Sequence, residues 1–157
     1  RTTDVYNSPN EKAQLANLSG GNYFISFHRN SGMEDNLYNG VQTLIYQHND
    51  TVDTLAENIN RQLENVGFKN LGVEEVPGLI VLRKTEMPAV LVETGFINSD
   101  IDNQLFDKKA ATSRSGVTDA FRTNTGGAGS SFNITSRVHE RHMNNSSRDN
   151  GNNNIFL

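Results

Sequence analysis

The sequence contains no cysteine. That excludes disulfides and thiolate metal sites, so any metal must be held by His, Asp or Glu. No apolar run approaches the roughly 20 residues that a helix needs to span a bilayer, and no signal peptide is visible. Lys and Arg are not clustered and the net charge is -4. A phosphate-binding surface needs the opposite, so nucleic acid is not expected as a partner. There is no G-x-S-x-G elbow, which together with the missing Cys argues against an α/β hydrolase with a serine or cysteine nucleophile. Apolar residues are also scarce, at 34% of 157. The length fits one domain of ordinary size. The shortage is uneven: regular apolar patterns fill the first part of the chain, and the end has few.

What is present begins with a helix signal. Ser8-Pro9-Asn10-Glu11 offers Ser as N-cap, Pro at the first helical position and Glu at the third, a capping box. Ser19-Gly20-Gly21 stops the segment. Tyr23 to His28 is short, aromatic and branched, and predicts a strand apolar on both faces. Arg29 to Gly40 is polar and predicts a loop; Val41 to Tyr46 predicts a second strand.

Asp53 to Val66 predicts the strongest helix, because Val52, Leu55, Ile59, Leu63 and Val66 form one apolar stripe. Asp50 or Thr51 is expected to cap it and Gly67 to end it in a left-handed turn. Two apolar runs follow, Ile80-Val81-Leu82 and Ala89-Val90-Leu91-Val92. The second, bounded by Pro88 and Gly95, predicts a central strand. Asn98 to Phe106 predicts a further helix, with Ser99 as cap and Asp102 at its third position. The order implies an α/β fold, a mainly parallel sheet flanked by helices.

After about Asp107 the character changes. Thr125 to Ser131 has a flexible-linker composition, and Asn144 to Asn154 is mostly Asn, Ser, Asp and Gly. Such segments bury too little apolar surface to offset an ordering cost of roughly 1–2 kcal/mol per residue. The expected division is a folded unit over 1–109 and an irregular, disordered tail over 110–157.

Chemistry points to two positions. His28 ends the first strand, and Glu93 follows the apolar run Ala89–Val92. Reactions in open α/β sheets sit outside the carboxyl ends of strands, so the two could converge. A His and a Glu without Cys are the minimum vocabulary of a hydrolytic zinc centre, where metal-bound water has a pKa near about 7 and a carboxylate takes its proton. On the residues alone, the bland readings stay open: a structural strand-end His, and a Glu serving as ion-pair partner or helix cap.

A resemblance adds to this. Tyr23-Phe24-Ile25-Ser26-Phe27-His28-Arg29-Asn30 resembles the segment F-I-S-I-H-A-N of the zinc-dependent N-acetylmuramoyl-L-alanine amidases. Met87 to Asn98 is similar to that family's P-A-V-L-V-E-x-G-F-I-S-N. Between them, Gly40-Val41-Gln42-Thr43 and Leu79 to Arg83 match in order and spacing, and Arg1-Thr2-Thr3-Asp4 resembles the R-x-T-D that follows the family's second strand. The resemblance covers about residues 1 to 107. It implies hydrolysis of the amide bond between N-acetylmuramic acid and L-alanine in peptidoglycan, with Zn2+ as cofactor. His28 would be a zinc ligand and Glu93 the catalytic carboxylate; Arg83 is a candidate for binding a substrate carboxylate. It further implies peptidoglycan as partner, a monomer, and an extracellular or periplasmic, cell-wall-associated location.

One departure matters. The family's first strand carries D-P-G-H-G-G, followed by a Glu, and its His and that Glu are the other two zinc ligands. Neither motif occurs in this sequence. The expectation is therefore a domain truncated at its N-terminus, incomplete in its first strands. A tail cluster, His139, Glu140 and His142, is the other conceivable ligand source, although its spacing is not that of H-E-x-x-H. The competing expectation for function is a non-catalytic wall-binding or regulatory remnant with the same fold.

Overall fold

The computed structural model describes residues 6–106. Arg1 to Asp4, the expected tail 110–157 and the cluster His139, Glu140 and His142 lie outside the described residues. Among the described residues no helix is long and apolar enough to cross a membrane.

The first helix, α1 (Pro9–Leu18), begins as its capping box dictates. Ser8 Oγ accepts from the Glu11 amide at 3.3 Å, and the Ser8 amide donates to Glu11 Oε2 at 2.7 Å. β1 (Phe24–Asn30) and β2 (Val41–Ile45) follow. α2 (Asp50–Asn65) starts three residues earlier than its apolar stripe suggests. Its cap is Asn49 rather than Asp50 or Thr51. Asn49 is in extended backbone, and its Oδ1 accepts from the Val52 amide at 3.0 Å, which leaves Asp50 and Asp53 free to sit in the first turn against the positive end of the helix dipole. At the other end Gly67 has φ +110°, as a left-handed exit requires.

β3 (Asn70–Glu75) is a strand that the sequence pattern does not announce. It is an edge strand, carries Glu74, Glu75 and Asn70, and buries little, so it lacks the apolar alternation by which strands are recognised. The run Ile80-Val81-Leu82 lies in a short helix, α3 (Ile80–Lys84). β4 (Ala89–Phe96) is buried along its whole length. A last helix, α4, covers 100–106 at the end of the described residues. Ser99 caps it, accepting the Asp102 amide at 3.2 Å.

The sheet order is β1-β4-β2-β3. β1 runs parallel to β4 and β2 parallel to β3, while β2 and β4 are antiparallel. The α/β class holds, and the mainly parallel sheet is a mixed one: β2 enters beside the central strand in the opposite sense. β1 and β4 therefore finish at the end of the sheet where β2 and β3 begin.

The two faces are covered differently. One packs Ile25, Val41, Ile45, Val90 and Val92 against Val52, Leu55, Ala56, Ile59 and Leu63 of α2. Burying each large aliphatic side chain there contributes about 1.5–3 kcal/mol. Thr43 also points into this layer, and its hydroxyl donates to Asn60 Oδ1 at 2.7 Å, so the polar pair is satisfied. The opposite face packs Phe24, Ala89 and Leu91 under Ala16 of α1 and Val81 and Leu82 of α3. That second cluster lies toward the starting ends of β1 and β4. Toward their finishing ends, the same face turns polar.

Candidate active site

Alternation along β1 and β4 decides which side chains share the polar part of that face. Phe24, Ser26 and His28 point one way on β1; Ala89, Leu91 and Glu93 point the same way on β4. The parallel register pairs His28 directly with Glu93. On the other side of β4, the antiparallel register pairs Glu93 with Gln42. The two residues singled out in the sequence are thus neighbours across two strands, and Gln42 joins them from a third.

Glu93 is the unusual member. It is 9% exposed, and its Oε2 has no hydrogen-bond partner among the described residues. Burial disfavours the charged form and pushes its carboxyl up to about 7. A buried, unpartnered carboxyl oxygen costs stability, of the order of 1–3 kcal/mol for a lost partner. Such a group on a strand end is a candidate for chemistry, because it is poised to hold or release a proton near neutrality. His28 is half-buried beside it. Ser26, two residues back on the same face, meets His28 Nε2 at 3.0 Å. A hydroxyl can donate to or accept from that nitrogen, so Ser26 orients the ring in either tautomer.

The chain beyond Glu93 is clamped from behind. Gly95 has φ +76°, and a Cβ there would stand 2.9 Å from the Asp102 side chain. Only glycine lets the strand end come this close. Asp102 is fully buried. Its carboxylate accepts from the Phe96 amide at 2.8 Å and from the Gly40 amide at 2.9 Å. It thereby ties the finish of β4 to the start of β2, and with it the spacing of Glu93 and Gln42. Arg29, facing the opposite way from His28, donates from Nη2 to the Phe96 carbonyl at 2.9 Å and to Asn103 Oδ1 at 2.6 Å. Its guanidinium lies 4.6 Å from the Phe106 ring centre. Together these contacts hold α4 against the strand ends.

Arg83 does not join this group. It is exposed in the last turn of α3, near the end of the sheet where β4 begins, whereas Glu93 lies near the end where β4 finishes. Conversely, sequence reasoning passed over Gln42 and treated Asp102 only as a helix-cap residue. Gln42 had one available signal: it is the polar residue alternating with the inward Val41, Thr43 and Ile45.

The N-acetylmuramoyl-L-alanine amidase family model matches residues 1–120. The chain belongs to that family. It is 34% identical over 116 residues to the N-acetylmuramoyl-L-alanine amidase CwlM of Bacillus licheniformis, covering 70% of this chain and 42% of that protein. It is 34% identical over 108 residues to the sporulation-specific N-acetylmuramoyl-L-alanine amidase of Bacillus subtilis (strain 168), covering 65% of this chain and 39% of that one. The chain thus spans less than half the length of these two relatives. Its fold superposes on the crystal structure of an N-acetylmuramoyl-L-alanine amidase from Clostridium difficile 630 with a TM-score of 0.73, at 27% identity, over 82% of this chain and 71% of that one. The two longest segments that carry the resemblance are strands of this fold: Tyr23 to Asn30 contains β1, and Met87 to Asn98 contains β4.

A catalytic zinc takes three protein ligands as a rule. Among the described residues, no group of three His, Asp or Glu converges on one point. The donor set there is one imidazole, His28, beside one buried carboxyl oxygen. It suits a single ligand and its neighbouring proton carrier, and it does not by itself complete a zinc site.

Proposed function

We propose that this chain carries the proton-handling part of an amidase site that hydrolyses the bond between N-acetylmuramic acid and L-alanine in peptidoglycan. The observation that carries the reading is Glu93: buried, unpartnered at Oε2, placed at the finishing end of the central strand and paired in register with His28. As a base, its carboxylate accepts a proton from the water whose oxygen attacks the amide carbonyl. As an acid, it returns that proton to the departing L-alanine nitrogen when the C–N bond breaks. A carboxyl held near about 7 performs both halves at neutral pH, because neither protonation state is far uphill. His28 is offered as one ligand of a zinc ion completed by groups outside residues 6–106. When bound, such an ion polarises a carbonyl and acidifies water.

The substrate places the site of action at the cell wall, on the outer side of the cytoplasmic membrane, and peptidoglycan is the macromolecular partner. The test is release of soluble peptide from purified cell walls, together with zinc content. With zinc held at His28 and completed by two further ligands, the chain is expected to release peptide. Glu93→Gln is expected to reduce the rate by about 10²–10⁴-fold, the usual contribution of a positioned acid or base. Equal rates for the two, or no zinc retained by the wild type, would remove the catalytic reading and leave a wall-binding remnant with the amidase fold.

A further inference from the structure

The polar face does not stop at Glu93. In register it reads His28 on β1, Glu93 on β4 and Gln42 on β2. The row continues to the edge strand. Glu74 of β3 stands opposite Leu44 of β2, on the same face, and Gln42 Nε2 donates to Glu74 Oε2 at 2.7 Å. Polar side chains therefore reach from β1 to β3, with Glu74 set two residues deeper along the strands than His28, Glu93 and Gln42, level with Leu44. Deeper positions on this face, Leu44 and Leu91, pack into the cluster under α1 and α3. His28, Glu93 and Gln42 lie beyond that cluster, and exposure rises toward the edge strand: Glu93 is buried, Gln42 half-buried and Glu74 exposed.

Gln42 does two things for Glu74. It fixes the carboxylate over the face of the sheet, and it does so without bringing a charge that would offset it. A carboxylate held by a neutral donor keeps its attraction for a cation. Strands lie about 4.8 Å apart and residues along a strand about 3.3 Å, so two spacings across and two residues along set Glu74 roughly 12 Å from Glu93. An extended peptide advances about 3.3 Å per residue, so three residues cover about 10 Å of that distance and the side chain of the third spans the rest. The unpartnered, buried Oε2 of Glu93 marks where the reacting amide would sit.

Resting on the amidase reading above, we propose that Gln42 and Glu74 form a subsite for the peptide arm of the substrate. Its ligand is a primary ammonium group on the third residue beyond the scissile amide. Glu74 supplies the charge; Gln42 is a positioning residue that holds it. The chemistry asked of the substrate is a diamino acid with a free side-chain amine. A side chain whose amine is acylated loses this contact.

Binding, measured by titration calorimetry on the full chain, tests this. The probes are two N-lactoyl-L-alanyl tripeptides with lysine as third residue, one with a free and one with an acetylated side-chain amine. The wild type is expected to bind the free amine about three- to fivefold more tightly, the upper range for exposed charge pairs. That preference shrinks at high salt. Glu74→Gln is expected to bind both peptides alike, and Glu74→Lys to prefer the acetylated one. Equal binding of both peptides by the wild type overturns the proposal, and so does no binding of either. A preference that survives Glu74→Gln also overturns it. Because binding and not turnover is read, the result is separable from the role of Glu93. If Glu93→Gln leaves wall hydrolysis intact, the catalytic reading fails, while the amine preference still stands or falls on Glu74.

Discussion

The two faces of the sheet are built from the same strands yet serve different ends. On the α2 face, Val41, Ile45, Val90 and Val92 meet a continuous aliphatic stripe, and the buried polar pair Thr43 and Asn60 is internally satisfied. On the α1/α3 face, apolar packing covers the starting half of β1 and β4 and then gives way to Ser26, His28, Glu93 and Gln42. β4 contributes to both, with Val90 and Val92 on one side and Leu91 and Glu93 on the other. Stability is concentrated where the helix is long and the stripe complete. The proposed chemistry sits on the other face, past the part that α1 and α3 cover with apolar side chains. A single strand can supply both because its side chains alternate.

The sharpest way to break this contrast is Glu93→Gln. Wall hydrolysis should fall by about 10²–10⁴-fold, while the unfolding midpoint at pH 8 stays unchanged or rises, because a buried charge is removed. A loss of both together would mean that Glu93 is structural. Next comes Ile59→Ala on the α2 face. It is expected to cost about 2–5 kcal/mol in urea unfolding, as a large-to-small change at a fully buried aliphatic site does. A cost below about 1 kcal/mol would show that this face is not the main source of stability.

The third test is pH. The Glu93 carboxyl titrates at about 7 when folded, against 4.5 for the unperturbed group. Its folded pKa is raised, so the protonated form is favoured in the folded chain. The stabilisation is fully present below about 4.5 and is lost as pH rises through about 7. In the zinc-free protein this difference is worth about 3 kcal/mol across the window. His48, held above its ordinary value by its hydrogen bond to Asp53, slopes in the same direction. Subtracting the Glu93→Gln profile from the wild-type profile isolates the Glu93 part, and identical profiles would refute it. The smallest effect is expected from Arg83→Ala. Exposed, near the starting end of β4, it should alter stability by less than about 0.5 kcal/mol and leave hydrolysis nearly unchanged. A tenfold loss of hydrolysis would restore it as a substrate contact.

Much of this was legible in the chain. Glu11 three residues after Ser8 announced α1, the stripe from Val52 to Val66 announced α2, and Pro88 and Gly95 around an apolar run announced β4. The convergence of His28 and Glu93 at strand ends was also foreseeable. β3 was not, because an edge strand with Asn70, Glu74 and Glu75 has no need of apolar alternation. The place of Gln42 beside Glu93 was hidden for another reason: it depends on β2 entering antiparallel next to β4, a pairing about fifty residues apart along the chain that no local pattern encodes. Asp102 showed helix-cap spacing only. Its carboxylate turns instead toward two backbone amides on other segments.

The loop between β1 and β2 is fastened at its start to the turn after β4 and at its finish to α4. Near its start, the Gly32 amide donates to Asn98 Oδ1 at 2.9 Å, and Asn98 Nδ2 donates back to the Gly32 carbonyl at 3.0 Å. At its finish, Gly40 is bound to Asp102. Between those anchors stand Met33, Leu37 and Tyr38, all largely exposed. For protein engineering, residues 33–39 are therefore tied in along their length: Asn36 exchanges hydrogen bonds with Asp100 and donates its amide to the Asn98 carbonyl, and Tyr38 stacks on Phe96 at the finish of β4, so the exposed side chains of Met33 and Leu37 are the positions to vary.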